Sequence, residues 1–231
     1  MIPSRRGGAG KILDAMIKAC KGPIHNGRRV TAIEPVIDGD HISRSVNVTY
    51  TSNGQSTQTN YDHVISTIPL GALSIVDTSK CNFDPKLQTA IRALHYDSSV
   101  KVAIQFTERW WENPVYTNGH PHKGGVSSTD QPTRTIVYPS YGIDGNRGPG
   151  ASMIVSYTWA QDAMRAGSLA NKGEEILLNR ILLDLSNMHG IALGTLKGMV
   201  KAHHIHDWYD DQYSVGEYFS LCELLSLNSG L

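Results

Sequence analysis

Charge of one sign is what this sequence lacks first, since 21 Lys and Arg stand against 21 Asp and Glu. No net field exists to concentrate nucleic acid or an anionic membrane surface, so neither is an expected partner and a small molecule is. Cysteine is scarce too: Cys20, Cys81 and Cys222 are odd in number, far apart and without CxxC spacing. That pattern excludes a disulfide framework or a Cys-based zinc site and predicts reduced structural thiols. No apolar run approaches the roughly 18 residues of a membrane span, and the opening MIPSRRGGAGKILDAM has no apolar stretch of signal-peptide length. An intracellular location is the default expectation, and the sequon Asn47-Val48-Thr49 reads as unmodified strand. Neither internal repeats nor low-complexity tracts are present.

What is present is the composition of a folded domain, 40% hydrophobic and 18% charged. A chain of 231 residues can form one large domain or two small lobes. After Gly7, Gly8 and Gly10, the stretch KILDAMIKAC carries Ile12, Leu13, Met16, Ile17 and Cys20 at helical spacing, which predicts a short helix with one apolar face. Residues 28 to 66 alternate in the manner of strands, as at Val46, Val48 and Tyr50. Ser52-Asn53-Gly54 is the expected hairpin turn because Asn and Gly tolerate positive φ. A three-stranded antiparallel meander follows, closed by Pro69. A helix is predicted after Pro85, with Leu87, Ile91 and Leu94 on one face.

SSVKVAIQF then alternates Val100, Val102, Ile104 and Phe106 against Lys101, Ala103 and Gln105, a strand with two unlike faces. GGVSSTD, TRTIVYPS and ASMIVSYTW supply further β-rich stretches, with GIDGNRGPG between the last two as a turn or flexible loop. They imply a second, mixed sheet. Ile176, Leu177, Ile181, Leu182 and Leu185 mark a helix over 173–189, with Glu174 and Glu175 well placed in its first turn.

These segments, in this order, resemble the flavin-containing amine oxidase superfamily, and most closely its L-amino-acid oxidase branch. GGAGKILDAMIKAC resembles the family's Gly-Gly and helix segment, and GRRVTAIEP its strand whose central valine, here Val30, meets the adenine of FAD. YDHVISTIPLGAL resembles the strand that ends in Thr-x-Pro beside the nucleotide half of the cofactor, with Thr67 and Pro69 in those places. HYDSSVKVAIQFTERWW resembles the segment bearing the lysine that faces the flavin ring, here Lys101. RTIVYPS and SYTWAQDA resemble substrate-lobe strands, and HDWYDDQYSVGEY the start of the C-terminal return to the FAD lobe.

The resemblance implies an α/β (α+β) architecture in three parts. Residues 1–97 would be a partial FAD-binding lobe with the antiparallel meander, 98–204 a mixed-sheet substrate lobe with helices, and 205–231 the start of the return. It implies FAD as cofactor, an amine or amino acid and oxygen as partners, and oxidation to an imine with release of hydrogen peroxide. Lys101 would hold a water near the flavin, and Tyr138 would donate a hydrogen bond to the substrate carboxylate. The family's carboxylate-binding arginine falls outside the matching segments. Two departures stand against the pattern: no GxGxxG turn sets a pyrophosphate on a helix N-terminus, and CELLSLNSGL does not resemble the Gly-rich end of the return. They imply a chain truncated at both ends. The competing expectation is accordingly a non-catalytic remnant or binding module that holds FAD poorly alone, or one completed by a partner chain.

Each of these residues has a plainer role. Lys101 is also what a solvent-facing strand lysine looks like, and Tyr138 a half-buried strand tyrosine. Trp159 and Trp208 read as core packing before they read as cleft walls. His203, His204 and His206 are expected on the surface rather than around a metal, because strand alternation separates 203 from 204 and no carboxylate or cysteine stands at ligand spacing. Glu108 and Glu112, which flank Arg109, read as solvated charges at a strand end. No Ser-His-Asp or GxSxG arrangement is present.

Overall fold

The structure, a computed structural model, describes residues 10–38, 41–94, 96–140 and 151–216. Gly7 and Gly8, the GIDGNRGPG segment from Gly142 onward, the tail CELLSLNSGL and Cys222 lie outside them. The chain divides into two compact units, a meander unit before residue 97 joined by 212–215, and a helix-backed unit of 97–211 with Gly216.

In the meander unit, α1 (Gly10–Ala19) is followed by β1 (Arg29–Asp38), β2 (His41–Ser52) and β3 (Gln55–Tyr61), paired antiparallel in chain order. The β2–β3 hairpin turns where expected. Asn53 and Gly54 have φ of 50° and 76°, and Ser52 pairs with Gln55 across them. Positive φ at both central positions matches the strands' right-handed twist. β3 ends at Tyr61, short of the predicted Thr-x-Pro terminus: residues 62–69 are not strand, and Ile65 is 90% exposed. β propensity alone does not make a strand where no neighbouring ladder receives its backbone.

Two short helices, α2 (Leu70–Leu73) and α3 (Pro85–Ala93), complete this unit. α3 begins on Pro85 itself, because Asp84 caps it through Lys86 N–H at 2.6 Å and proline is preorganised for the first helical turn. Asp77 continues the edge of the sheet: Ile33 N–H donates to its carbonyl and its own N–H donates to Thr31, both at 2.9 Å. The apolar face of α1 is exposed throughout, from Ile12 at 66% to Ile17 at 47%.

The helix-backed unit holds β4 (Ser99–Phe106), β5 (Val126–Ser128), β6 (Thr135–Val137), β7 (Ala151–Trp159) and β8 (Val200–Asp207) in the order β5-β6-β7-β4-β8. Every ladder of this sheet is antiparallel, which corrects the mixed sheet expected from sequence. Its one parallel element is an isolated bridge from Arg134 to Tyr157. Strand segments in sequence signal pairing but not direction, and direction here follows the connections between strands.

Three helices, α4 (Ala160–Lys172), α5 (Glu174–His189) and α6 (Leu193–Met199), supply the other side of the core. α4 and α6 had no clear sequence signal; α5 did. It buries Leu177, Leu178, Ile181, Leu182 and Leu185, while Ile176 is 53% exposed, so the apolar stripe is rotated by one residue from the predicted one. Gly190, at φ 67°, ends α5 in the left-handed conformation that glycine adopts without steric cost.

Candidate functional site

β4 is the central feature of the helix-backed unit because its alternation is complete. Val100, Val102, Ile104 and Phe106 are fully buried in the core, while Lys101, Ala103 and Gln105 are half-buried on the other face. Antiparallel registers bring Tyr157 of β7 and His206 of β8 directly opposite Lys101. The Lys101 ammonium nitrogen lies 4.2 Å from the Tyr157 ring centroid and 4.4 Å from that of Trp208, within the range of a cation–π contact. Tyr157 in turn lies against Trp159 at 4.0 Å, and Trp208 meets His206 edge to face at 4.2 Å. Lys101 is thus the centre of a row of rings that crosses the half-covered face of the sheet.

Tyr138 occupies a different environment. It sits just beyond β6, two residues from the fully buried Ile136, and joins the core with 2% exposure. Ser127 Oγ donates to its hydroxyl at 3.2 Å, and the hydroxyl stands 3.0 Å from His189 Nε2. Its ring stacks on His122, with centroids 4.6 Å apart and planes 11° from parallel. His189 also meets the Trp110 ring at 4.9 Å. Burial and the neighbouring His122 push His189 down to about 4, so the imidazole is neutral at physiological pH and its Nε2 shares a hydrogen bond with the Tyr138 hydroxyl. Burial raises Tyr138 above the ordinary phenol range, with Ser127 opposing in part. Alternation places Lys101 and Tyr138 on opposite faces of the sheet, so the two predicted residues are not brought together.

Of the predicted cofactor residues, Val30 lies on the edge strand β1, paired with Tyr50 beside a register shift. Thr67 and Pro69 are exposed in the segment before α2, and the Pro69 carbonyl accepts from Leu73 N–H at 2.8 Å. Glu112 corrects its sequence reading. It is buried at 9%, and Arg109 Nε donates to its carboxylate at 2.7 Å, because a 3₁₀ turn over Trp110–Glu112 folds the charge inward onto its neighbour. Trp110 and Trp111 are fully buried in the same turn, edge to face with each other and with Phe106. His189 and His122 are the residues that sequence reading missed; both lie outside any motif, and only the fold brings them to Tyr138.

β8 carries its histidines as alternation requires. His203 bonds to Glu174 at 2.8 Å, while His206 lies 3.7 Å from Asp211. An open hollow of about 350 Å³ beside it is lined by Glu174, His206, Asp207, Asp210 and Asp211 among others. Among the described residues, no group of three or more His, Cys, Asp or Glu is arranged to hold a metal ion. No described helix is long and apolar enough to cross a membrane.

Lys101 thus stands on the half-buried face of β4 among aromatic rings. The family model for flavin containing amine oxidoreductases matches residues 1–226, and the chain belongs to that family. It is 42% identical over 92% of its length to a protein of Dictyostelium discoideum provisionally named a bifunctional amine oxidase, covering 20% of that relative. It is 39% identical over 68% of its length to L-amino-acid oxidase 4 of Hebeloma cylindrosporum, covering 26% of it. The L-amino-acid oxidase of Demansia vestigiata is 28% identical over 91% of the chain, which covers 37% of that protein. The chain therefore spans between a fifth and two fifths of the length of these relatives.

The family's cofactor is a flavin. In the helix-backed unit, Lys101 supplies an ammonium donor on the half-buried face of the sheet. The meander unit offers an edge strand at Val30 and an exposed segment at Thr67 and Pro69, but the sequence has no GxGxxG turn to receive a pyrophosphate.

Proposed function

We propose that this chain carries the flavin-facing lysine, Lys101, of an FAD-dependent oxidase that converts an L-amino acid or amine to an imine and hydrogen peroxide. The observation that supports it is the placement of Lys101 at the centre of the ringed sheet face, in a chain of the amine oxidase family. When bound, FAD would supply the oxidising chemistry, accepting a hydride from the carbon bearing the amine and being returned to its oxidised form by oxygen. The protein's part is positional. Lys101 Nζ would donate a hydrogen bond to a water held near the flavin, useful for reoxidation by oxygen and for hydrolysis of the imine. Val30, Thr67 and Pro69 serve the nucleotide half, the meander unit being the partial FAD lobe and residues 98–204 the substrate lobe.

Incubation of the purified chain with excess FAD, desalting and a visible spectrum test this reading. Retained flavin bands, with peroxide release on L-amino acids that Lys101→Met lowers by about 10²-fold, are expected. A colourless chain would sink it. It would favour the second reading, a binding module completed by another chain, which the sparsely buried meander unit supports and which predicts colour only on co-expression.

A further inference from the structure

We propose that Tyr157 and Trp208 are positioning residues for Lys101, fixing where its ammonium stands above the sheet; its importance for catalysis rests on the function proposed for Lys101 above. A lysine on a strand ordinarily sweeps a wide volume, because four methylenes rotate between the backbone and a compact, strongly hydrated charge. At Lys101 that volume is walled on both sides. Tyr157 comes from β7 and Trp208 from the turn after β8, the two strands that flank β4, and their ring centroids lie 4.2 and 4.4 Å from Nζ.

The walls are themselves held. Tyr157 is paired in register with Lys101 and backed by Trp159, with ring centroids 4.0 Å apart. Trp208 donates its backbone N–H to Ser99 O at 3.0 Å, accepts from Gly216 N–H at 2.9 Å, and is backed edge to face by His206. The row Trp159, Tyr157, Lys101, Trp208, His206 therefore reaches from one neighbouring strand to the other with the cation at its middle. Rings draw a cation to their faces through the quadrupole, so two opposed faces fix its place more narrowly than one. An ammonium set in this way presents its N–H groups outward from the sheet in a restricted direction, which is what holding a water at a reacting atom requires.

The experiment has two arms. In the full chain labelled with ¹³C at the lysine ε-carbon, ring currents should move the Lys101 ε-methylene upfield of the other lysines. That signal is identified by its loss in Lys101→Met. Trp208→Leu and Tyr157→Leu should each return it toward the common position, Trp208→Phe and Tyr157→Phe should retain most of the shift, and the remaining lysine signals should stay in place as evidence of an intact fold. An ε-methylene at the common position in the unsubstituted chain would overturn the proposal whether or not flavin binds.

In the FAD-loaded chain, Trp208→Leu should slow reoxidation of the reduced flavin by oxygen about tenfold, and Trp208→Phe should restore most of that rate. Anaerobic reduction by substrate should be roughly unchanged. Slowed reoxidation in Lys101→Met with none in Trp208→Leu would overturn the positioning role alone. Unchanged reoxidation in Lys101→Met would overturn the function assigned to the lysine, while the ring-current result would still decide its geometry.

Discussion

The two units of this chain are built from comparable amounts of apolar sequence and bury them very differently. In the helix-backed unit the sheet has two unlike faces, and Val100, Val102, Ile104, Phe106, Trp110 and Trp111 are fully buried in one core with residues of α4, α5 and α6. Among the described residues of the meander unit, only Val48, Ala72 and Val76 are buried hydrophobics, while Ile12, Leu13, Met16, Ile37, Ile65 and Ile75 are each more than half exposed. A unit with few buried apolar side chains among its described residues removes little apolar area from water, and that term dominates folding stability. One unit thus has a closed core, and the other leaves most of its described apolar side chains exposed.

Substitutions can sharpen or break this contrast. The largest effect is expected at Trp110, where removing a fully buried indole flanked by Phe106, Trp111 and His189 leaves a cavity in the core. Trp110→Ala should cost the helix-backed unit about 4 kcal/mol, read from the shift in its urea midpoint at constant slope. A cost near zero would mean that the core here is as loose as the meander unit.

Next is pH. His189 is held near 4 in the folded chain against an ordinary value of 6.5, so the unfolded state binds its proton more readily. Its contribution is complete above pH 6.5 and is lost as pH falls from there toward 4. Over that interval the helix-backed unit should lose about 3 kcal/mol, and His189→Phe should flatten the dependence. An unchanged stability profile from pH 7 to 4 would show that the imidazole is not buried as a neutral group.

The smallest effect belongs to the meander unit. Ile65→Thr changes a side chain that is 90% exposed and should alter stability by less than about 0.5 kcal/mol while lowering self-association in light scattering. A large loss of stability would mean that this segment is covered in solution.

Much of the architecture was legible where a local rule has no competitor. Asn53-Gly54 can hardly make anything but a hairpin turn, Asp84-Pro85 starts a helix whatever surrounds it, and the alternation around Lys101 fixes which residues share a face. The reading failed where the outcome depended on a distant partner. β3 was extended through Ile65 because the residues favour strand, although no ladder there receives them. Glu112 was placed in solvent because its charge suggests it, although Arg109 folds in with it.

The sequence by itself determined the local elements, the two-faced character of β4 and the order of segments that identifies the family, since these follow from periodicity, turn chemistry and motif order along one dimension. Only the tertiary structure decided that Tyr157 and Trp208 flank Lys101, that His189 pairs with the Tyr138 hydroxyl, and that Lys101 and Tyr138 lie on opposite faces. Those facts require the strand order β5-β6-β7-β4-β8 and its registers, which are set by packing between segments up to a hundred residues apart and leave no trace in the spacing of any one of them.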